Sequence, residues 1–243
     1  SATSHFSYVH MLATLSGMKP AGSQALICGL GAGSLTMEYS RLGFKTDVVD
    51  IDWRLPALGE RYFYLDPNVF DFYVDDARHY IHETDKVYDI ITLDIALSEA
   101  QPYHLYTVEA FKEFKAKLKP DGLLITNFQG YLFGPKGVAE RSIFKTMQAA
   151  GFEVHVVPSM GTGIQDIIFV ASPTTVPFER LSVRGLSPCC INVAHADQFV
   201  TDARRHVVSN LALSDALLLV DDRPMLDLIQ RPRRVRLFAG RLG

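Results

Sequence analysis

The sequence predicts an α/β fold: a doubly wound, mostly parallel sheet of seven strands with helices on both faces, followed by a small C-terminal extension. Three observations carry this. Short apolar runs alternate with helical periodicity between residues 25 and 171. The first run, Ala25-Leu26-Ile27-Cys28, enters the glycine turn Gly29-Leu30-Gly31-Ala32-Gly33, which opens a helix. The acids Asp50, Asp76 and Asp94 each stand at or just past a strand end, where open α/β sheets place their ligands.

The elements follow in order. Residues 5–18 put Phe6, Val9, Leu12, Ala13 and Leu15 near one face, which predicts a helix ended by Gly17 and Pro20. Strand one spans 25–28, and a helix over 34–42 is closed by Gly43. Strand two covers 45–49 and a helix follows over 56–63. Strand three is 69–74, after which Asp75-Asp76-Ala77-Arg78 turns into a helix reaching about residue 82. Strand four, 87–93, ends in Asp94. A loop of small and polar residues leads to a helix over 105–118, stopped by Lys119-Pro120-Asp121-Gly122. Strand five is 123–128, and a helix over 138–150 stops at Gly151. Residues 154–157 and 164–171 predict an antiparallel hairpin at the sheet edge, joined through Gly161 and Gly163. Beyond Ser172 the pattern changes: prolines 173, 177 and 188 punctuate a loop, 196–213 reads as one helix, and 217–220 is a short apolar run. The chain therefore divides into a ligand-binding domain over 1–172, with its N-terminal helix, and an extension over 173–243 packed on it.

Composition bounds the function. The 243 residues are 48% hydrophobic and 21% charged, ordinary for a soluble globular chain. A net charge of −3 gives no electrostatic reason to expect nucleic acid. The basic run at 231–236 reads as a solvated tail. Of three cysteines, Cys28 lies in an apolar strand, while Cys189 and Cys190 are adjacent and lack metal-ligand spacing. No metal site is expected, and the setting reads as reduced and cytoplasmic. No apolar run approaches the ~18 residues of a membrane span. The chain starts just upstream of a helix, as a piece of a longer protein would.

The glycine turn can admit a ligand close to backbone, the helix start supplies free N–H groups, and an acid at the end of strand two can hold ribose hydroxyls. The turn is Gly-x-Gly-x-Gly, and Ser34 stands where a dinucleotide fingerprint needs its third glycine. A dinucleotide is thus the weaker reading.

Together with Asp50-Ile51-Asp52, Asp75-Asp76-Ala77 and Tyr88-Asp89-Ile90-Ile91-Thr92-Leu93-Asp94, the turn resembles the Rossmann-like class I S-adenosylmethionine-dependent transferase fold. Within it the sequence resembles the spermidine synthase (polyamine aminopropyltransferase) family. Phe6-Ser7-Tyr8-Val9-His10-Met11-Leu12 is similar to the family segment that contributes a pocket tyrosine, which points to Tyr8. Val49-Asp50-Ile51-Asp52 resembles its Val-Glu-Ile-Asp, and Asp75-Asp76-Ala77 its Gly-Asp-Gly/Ala at the adenine. Asp94 with Pro102-Tyr103-His104-Leu105-Tyr106-Thr107 resembles the catalytic loop and the start of the next helix. Val220-Asp221-Asp222-Arg223-Pro224 resembles the tail of bacterial relatives whose synthase-like domain follows a membrane region. The resemblance covers roughly residues 6–130 plus that tail. It implies S-adenosylmethionine or its decarboxylated form as co-substrate, bound by Gly29, Gly31, Gly33, Asp50, Ile51, Asp76, Ala77 and Asp94. It also implies a small amine acceptor, a homodimer and a membrane region outside this chain.

The sequence departs from the family at three points. Ala32 replaces the turn aspartate that grips the aminopropyl amine, and Leu97 replaces the second loop aspartate, with Glu99 two places on as the nearby acid. The family's N-terminal β-hairpin domain is missing from this sequence. Transfer from a sulfonium to an amine is an in-line displacement in which the protein aligns reactants and supplies charge. Asp94 is the candidate base, Glu99 a holder for a second positive end, and Tyr8 a lining hydroxyl. Three functions stay open: aminopropyl or related alkyl transfer, methyl transfer favoured by Ala32, and nucleoside binding without catalysis. Blander roles accompany some residues. Asp76 is also a helix N-cap candidate, Glu99 a solvated acid, His104 a structural hydrogen-bonder, Asp221 and Asp222 a turn, and Tyr62-Phe63-Tyr64 packing.

Overall fold

The computed structural model describes residues 7–95, 102–158, 165–182, 184, 200–201, 203–223, 225–226 and 228–229. Leu97, Glu99, Gly161, Gly163, Cys189, Cys190 and the basic run 231–236 lie outside the described residues. The strands are β1 (Gln24–Cys28), β2 (Lys45–Asp50), β3 (Phe70–Val74), β4 (Tyr88–Leu93), β5 (Leu118–Gly130), β6 (Glu153–Pro158) and β7 (Gln165–Ser172). They form one sheet in the order β3-β2-β1-β4-β5-β7-β6. The first five run parallel, and β7 is antiparallel to both β5 and β6. The expected hairpin exists, with β6 as the edge and β7 wedged inside it.

The helices are α1 (Ser7–Ser16), α2 (Ser34–Arg41), α3 (Leu55–Phe63), α4 (Ala77–Glu83), α5 (Val108–Ala116) and α6 (Val138–Ala149). Strand periodicity assigns them to faces. Leu26 and Cys28 of β1 share a core with Ile81, Phe111 and Phe144 of α4, α5 and α6. Ala25 and Ile27 point the other way, into a core with Leu12 of α1 and Leu35 and Tyr39 of α2. Because helices cover both faces, β1 and β4 read as near-continuous apolar runs. Tyr39 ties three elements together: its hydroxyl lies 2.7 Å from Ser16 Oγ and 2.5 Å from Thr92 Oγ1.

Local chemistry sets the helix starts. Asp76 caps α4 by accepting from the Arg78 and His79 amides at 2.9 and 3.2 Å. Thr107 caps α5, accepting from Ala110 N at 3.2 Å. The α5 start is therefore later than the sequence predicts. Tyr103–Leu105 is a 3₁₀ turn, and Leu118 already pairs with Tyr88 in the sheet.

Two expectations are overturned. The segment 196–213 is not one helix: Val208 exchanges hydrogen bonds of 2.8 and 2.9 Å with Val156 on the exposed edge of β6. The open ladder of an edge strand and the β-branched pair Val207-Val208 outcompete helical periodicity here. Tyr62, Phe63 and Tyr64 do not pack: they are 57%, 54% and 75% exposed. Leu65 does that work. It is buried, and its side chain fills the space beside Gly33 and Gly59, where an added Cβ would come within 2.6 Å of it.

The later chain lies along α6. Arg141 pairs with Asp215, Lys145 Nζ donates to the Ala216 carbonyl at 2.8 Å, and the amides of Leu217 and Leu219 donate to Ser142 Oγ and Thr146 Oγ1 at 2.9 and 3.1 Å. Four polar side chains on one helix thus find partners in one segment.

Candidate functional site

The parallel strands end together at one edge of the sheet, and a cleft of about 600 Å³ opens there. The turn after β1 contributes Gly29, Leu30, Gly31 and Ala32. The end of β2 contributes Asp50, Ile51 and Asp52, and the end of β3 Asp75, Asp76 and Ala77. Asp94 and Ile95 follow β4, Tyr8 comes from the first turn of α1, and Pro102, His104 and Leu105 close the far side. Of the residues predicted to bind a nucleoside, Gly33 is not on this wall. It is the left-handed N-cap of α2, with φ 80°.

Gly29 explains why the turn needs glycine. Its φ is 98°, and a Cβ there would sit 2.6 Å from the Asp94 carbonyl oxygen. The turn is also held by Asp50. One carboxylate oxygen accepts from Leu30 N at 2.8 Å, and the other from Asp52 N at 3.0 Å. Each oxygen keeps a lone pair, so the carboxylate can still accept two hydroxyls. Asp52 turns aside to pair with Arg54 through Nε and Nη2 at 2.8 and 2.7 Å.

Asp76 does two things. It caps α4, and its Oδ2 lies 2.9 Å from His104 Nε2. Burial pushes its pKa up, but the His104 contact and the His79 and Arg78 amides prevail and hold it below the ordinary carboxylate range.

Asp94 is the most perturbed acid on the cleft wall. Its amide is anchored to the Cys28 carbonyl at 3.0 Å. Burial and then the charge of Asp166 push its pKa up to about 7, against a hydrogen bond from Asn127. Tyr8 is pushed up to about 12 by burial and then by Asp94 and Asp166, so its phenol stays protonated. A protonated hydroxyl and a carboxylate that titrates near neutrality therefore share one cleft. Asp50, Asp52, Asp75, Asp76 and Asp94 line the cleft without a lysine or arginine among the described lining residues. That field suits a cationic ligand and opposes a pyrophosphate. Among the described residues, no group of three or more His, Cys, Asp or Glu could hold a metal ion.

The profile of the spermine/spermidine synthase domain matches residues 5–178. The chain belongs to the spermine/spermidine synthase family. A polyamine aminopropyltransferase of Vibrio vulnificus is 35% identical over 150 residues, which are 58% of this chain and 50% of that protein. An N-terminal histidine N-methyltransferase of Emericella nidulans is 33% identical over 115 residues, 45% of this chain and 20% of that one. The chain spans about half the length, or less, of these curated relatives. The crystal structure of a probable spermidine synthase from Corynebacterium glutamicum superposes with a TM-score of 0.63 at 20% identity, covering 82% of this chain and 78% of that chain. The crystal structure of human methyltransferase-like protein 13 also superposes, with a TM-score of 0.55 at 17% identity over 81% of this chain and 89% of that chain. With the sheet order, these two likenesses show a class I methyltransferase-like fold.

Sequence reasoning missed four residues around the family cleft. Asn127 and Asp166 influence Asp94 from β5 and β7. Arg78 and Glu113 form a buried-edge ion pair beside Asp76. Arg78 stood next to the Asp76-Ala77 motif, which was the available signal. Asp166 had none, since nothing local marks a residue that a reversed strand delivers to the site.

Proposed function

We propose that the chain is an S-adenosyl-donor-dependent transferase that moves an aminopropyl or related alkyl group from decarboxylated S-adenosylmethionine to a small amine. The observation that carries this is Asp94: a carboxylate titrating near neutrality, at the end of β4, in a cleft lined by acids. The names of the family and of the Vibrio relative support it.

In this reading Asp50 accepts the ribose hydroxyls, and Asp76 with Ala77 bounds the base. The sulfonium lies towards Asp94. The acceptor nitrogen attacks the carbon next to sulfur, the C–N bond forms as the C–S bond breaks, and the thioether nucleoside leaves with the electron pair. The nitrogen sheds one proton, which Asp94 takes. Tyr8 orients the amine by hydrogen bonding and excludes water. Proximity and charge supply most of the rate, because the donor arrives activated.

Ala32, on the cleft wall, supports a second reading. Without an acid at that place, the wall tolerates a donor carboxylate, as methyl transfer from S-adenosylmethionine requires. One assay separates the two. The protein is incubated with each donor and a mixture of amines, and the nucleoside product is identified. Methylthioadenosine supports alkyl transfer, S-adenosylhomocysteine supports methylation, and binding without turnover sinks both.

A further inference from the structure

Arg78 joins a distant part of the chain to the nucleoside end of the cleft. Its guanidinium has five N–H donors, and all five are used. Nε and Nη2 donate to Glu113 at 2.9 and 2.7 Å. Nη1 and Nη2 donate to the two oxygens of Asp221 at 2.8 Å each. Nη1 also donates to the His104 carbonyl at 3.1 Å. His104 in turn reaches Asp76 through its ring at 2.9 Å.

Asp221 is held as firmly as it holds. Its Oδ1 accepts from Thr107 Oγ1, the α5 cap, at 2.6 Å, and its amide donates to Glu109 at 3.2 Å. Leu219 O accepts from Val108 N at 3.0 Å, and Val220 bridges Arg223 to close the turn. His104 and Asp76 line the cleft, whereas Arg78 and Asp221 stand behind it.

We propose that Asp221 is a positioning residue: through Arg78 it fixes the His104 turn, and through His104 it sets Asp76 at the nucleoside end of the cleft. The inference rests on the nucleoside reading of that cleft. Two hydrogen bonds, Arg78 to the His104 carbonyl and His104 to Asp76, join the Tyr103–Leu105 turn to α4. Both depend on where the guanidinium is held. Glu113 grips it from α5, and Asp221 grips the opposite side, so losing Asp221 frees the Nη1 end that bears on His104. Asp221 also offsets a positive charge that would otherwise stand behind a site for a cationic donor.

The test uses the full chain and two variants, Asp221→Asn and Leu219→Ala. Leu219 is a buried side chain of the same turn, and its truncation costs packing while leaving the Arg78 bonds in place. Two readouts are taken: the Asp76 carboxyl titration by ¹³C NMR without ligand, and methylthioadenosine affinity by calorimetry. The charged groups around Asp76 are His104 from the turn, Arg78 and His79 from α4, and Asp75 before it. In Asp221→Asn the loss of the His104 contact should move the Asp76 titration up towards the ordinary carboxylate range, against the smaller downward pull of the uncompensated Arg78 charge, and affinity should fall about fivefold. Leu219→Ala should lower Tm at least as much and move neither readout. An unchanged or lowered Asp76 titration in Asp221→Asn, or the same upward shift in Leu219→Ala, overturns the proposal. Arg78→Lys, which keeps the charge and loses the fork, should repeat the Asp221→Asn result if that variant does not fold. Failure of the wild type to bind methylthioadenosine would sink the nucleoside reading, while the Asp76 titration still decides the role of Asp221.

Discussion

The charge of Asp166 raises the proton affinity of Asp94 although Asp94 follows β4 and Asp166 lies on β7, strands that do not touch because β5 runs between them. Asn127 on the intervening β5 bonds to the Asp94 carboxylate and acts in the opposite sense. The strand order, rather than sequence proximity, builds this acid pair.

The raised pKa makes Asp94 a stability cost. Between the ordinary carboxylate value and about 7, the folded state binds more protons than the unfolded state, so stability falls as pH rises through that window and is flat above it. Asp94→Asn removes the effect. Urea unfolding at pH 8 should show the variant more stable, by up to about 4 kcal/mol at 1.36 kcal/mol per pH unit, with the gap shrinking towards pH 5. Turnover should fall about 10²–10⁴-fold. An equally stable variant at pH 8 would show that Asp94 is not buried as described.

Acceptor binding should report on the same group. A cationic amine beside Asp94 favours the carboxylate and lowers its pKa, so binding below pH 7 must expel the Asp94 proton. Affinity should therefore drop as pH falls below about 7, and calorimetry in buffers of different ionisation enthalpy should detect proton release. Uptake of protons would contradict the assignment.

The glycine turn separates backbone strain from ligand access. Gly29→Ala forces a Cβ to 2.6 Å from a backbone carbonyl at φ 98°, and thermal unfolding should show a loss of about 2 kcal/mol or more. Gly31 has φ 53° and open space around its Cβ position. Gly31→Ala should cost only about 1 kcal/mol yet weaken nucleoside binding, because that space is the cleft. Equal Tm losses would show that the two glycines serve the same purpose.

Asp47 anchors the sheet away from the cleft. It is buried, accepts from Tyr88 Oη at 2.7 Å and pairs with Lys86 at 2.8 Å. Asp47→Ala should destabilise the chain by about 1–2 kcal/mol, because the buried Tyr88 hydroxyl loses its carboxylate acceptor and keeps only Tyr80, while the half-exposed Lys86 stays solvated. Donor affinity should be unchanged in the folded fraction.

Most of this fold was legible because parallel strands buried on both faces leave apolar runs that stand out, as β1 and β4 do. Asp50 and Asp94 were legible for the same reason, being the first polar residues beyond such runs, and Asp76 was legible as the second acid after β3. Helical periodicity at 196–213 misled, since Val208 is satisfied by a β6 edge that no local pattern announces. Tyr62-Phe63-Tyr64 misled because apolar character does not reveal that Leu65 has already filled the available space. The Arg78–Asp221 pair spans 143 residues, and only the closed fold connects it.

Because β7 lies between β5 and β6, the last strand made is not the outermost one. A nascent chain that has emerged only through residue 158 has β5 complete but without its antiparallel partner. Leu124, Ile125 and Phe128 then belong to an open edge, which is a template for wrong pairing. Insertion of β7 ends that exposure and in the same event brings Asp166 towards Asp94. Synthesis therefore produces a protected sheet and a tuned acid through the same strand, and a chain stalled before Gln165 has neither.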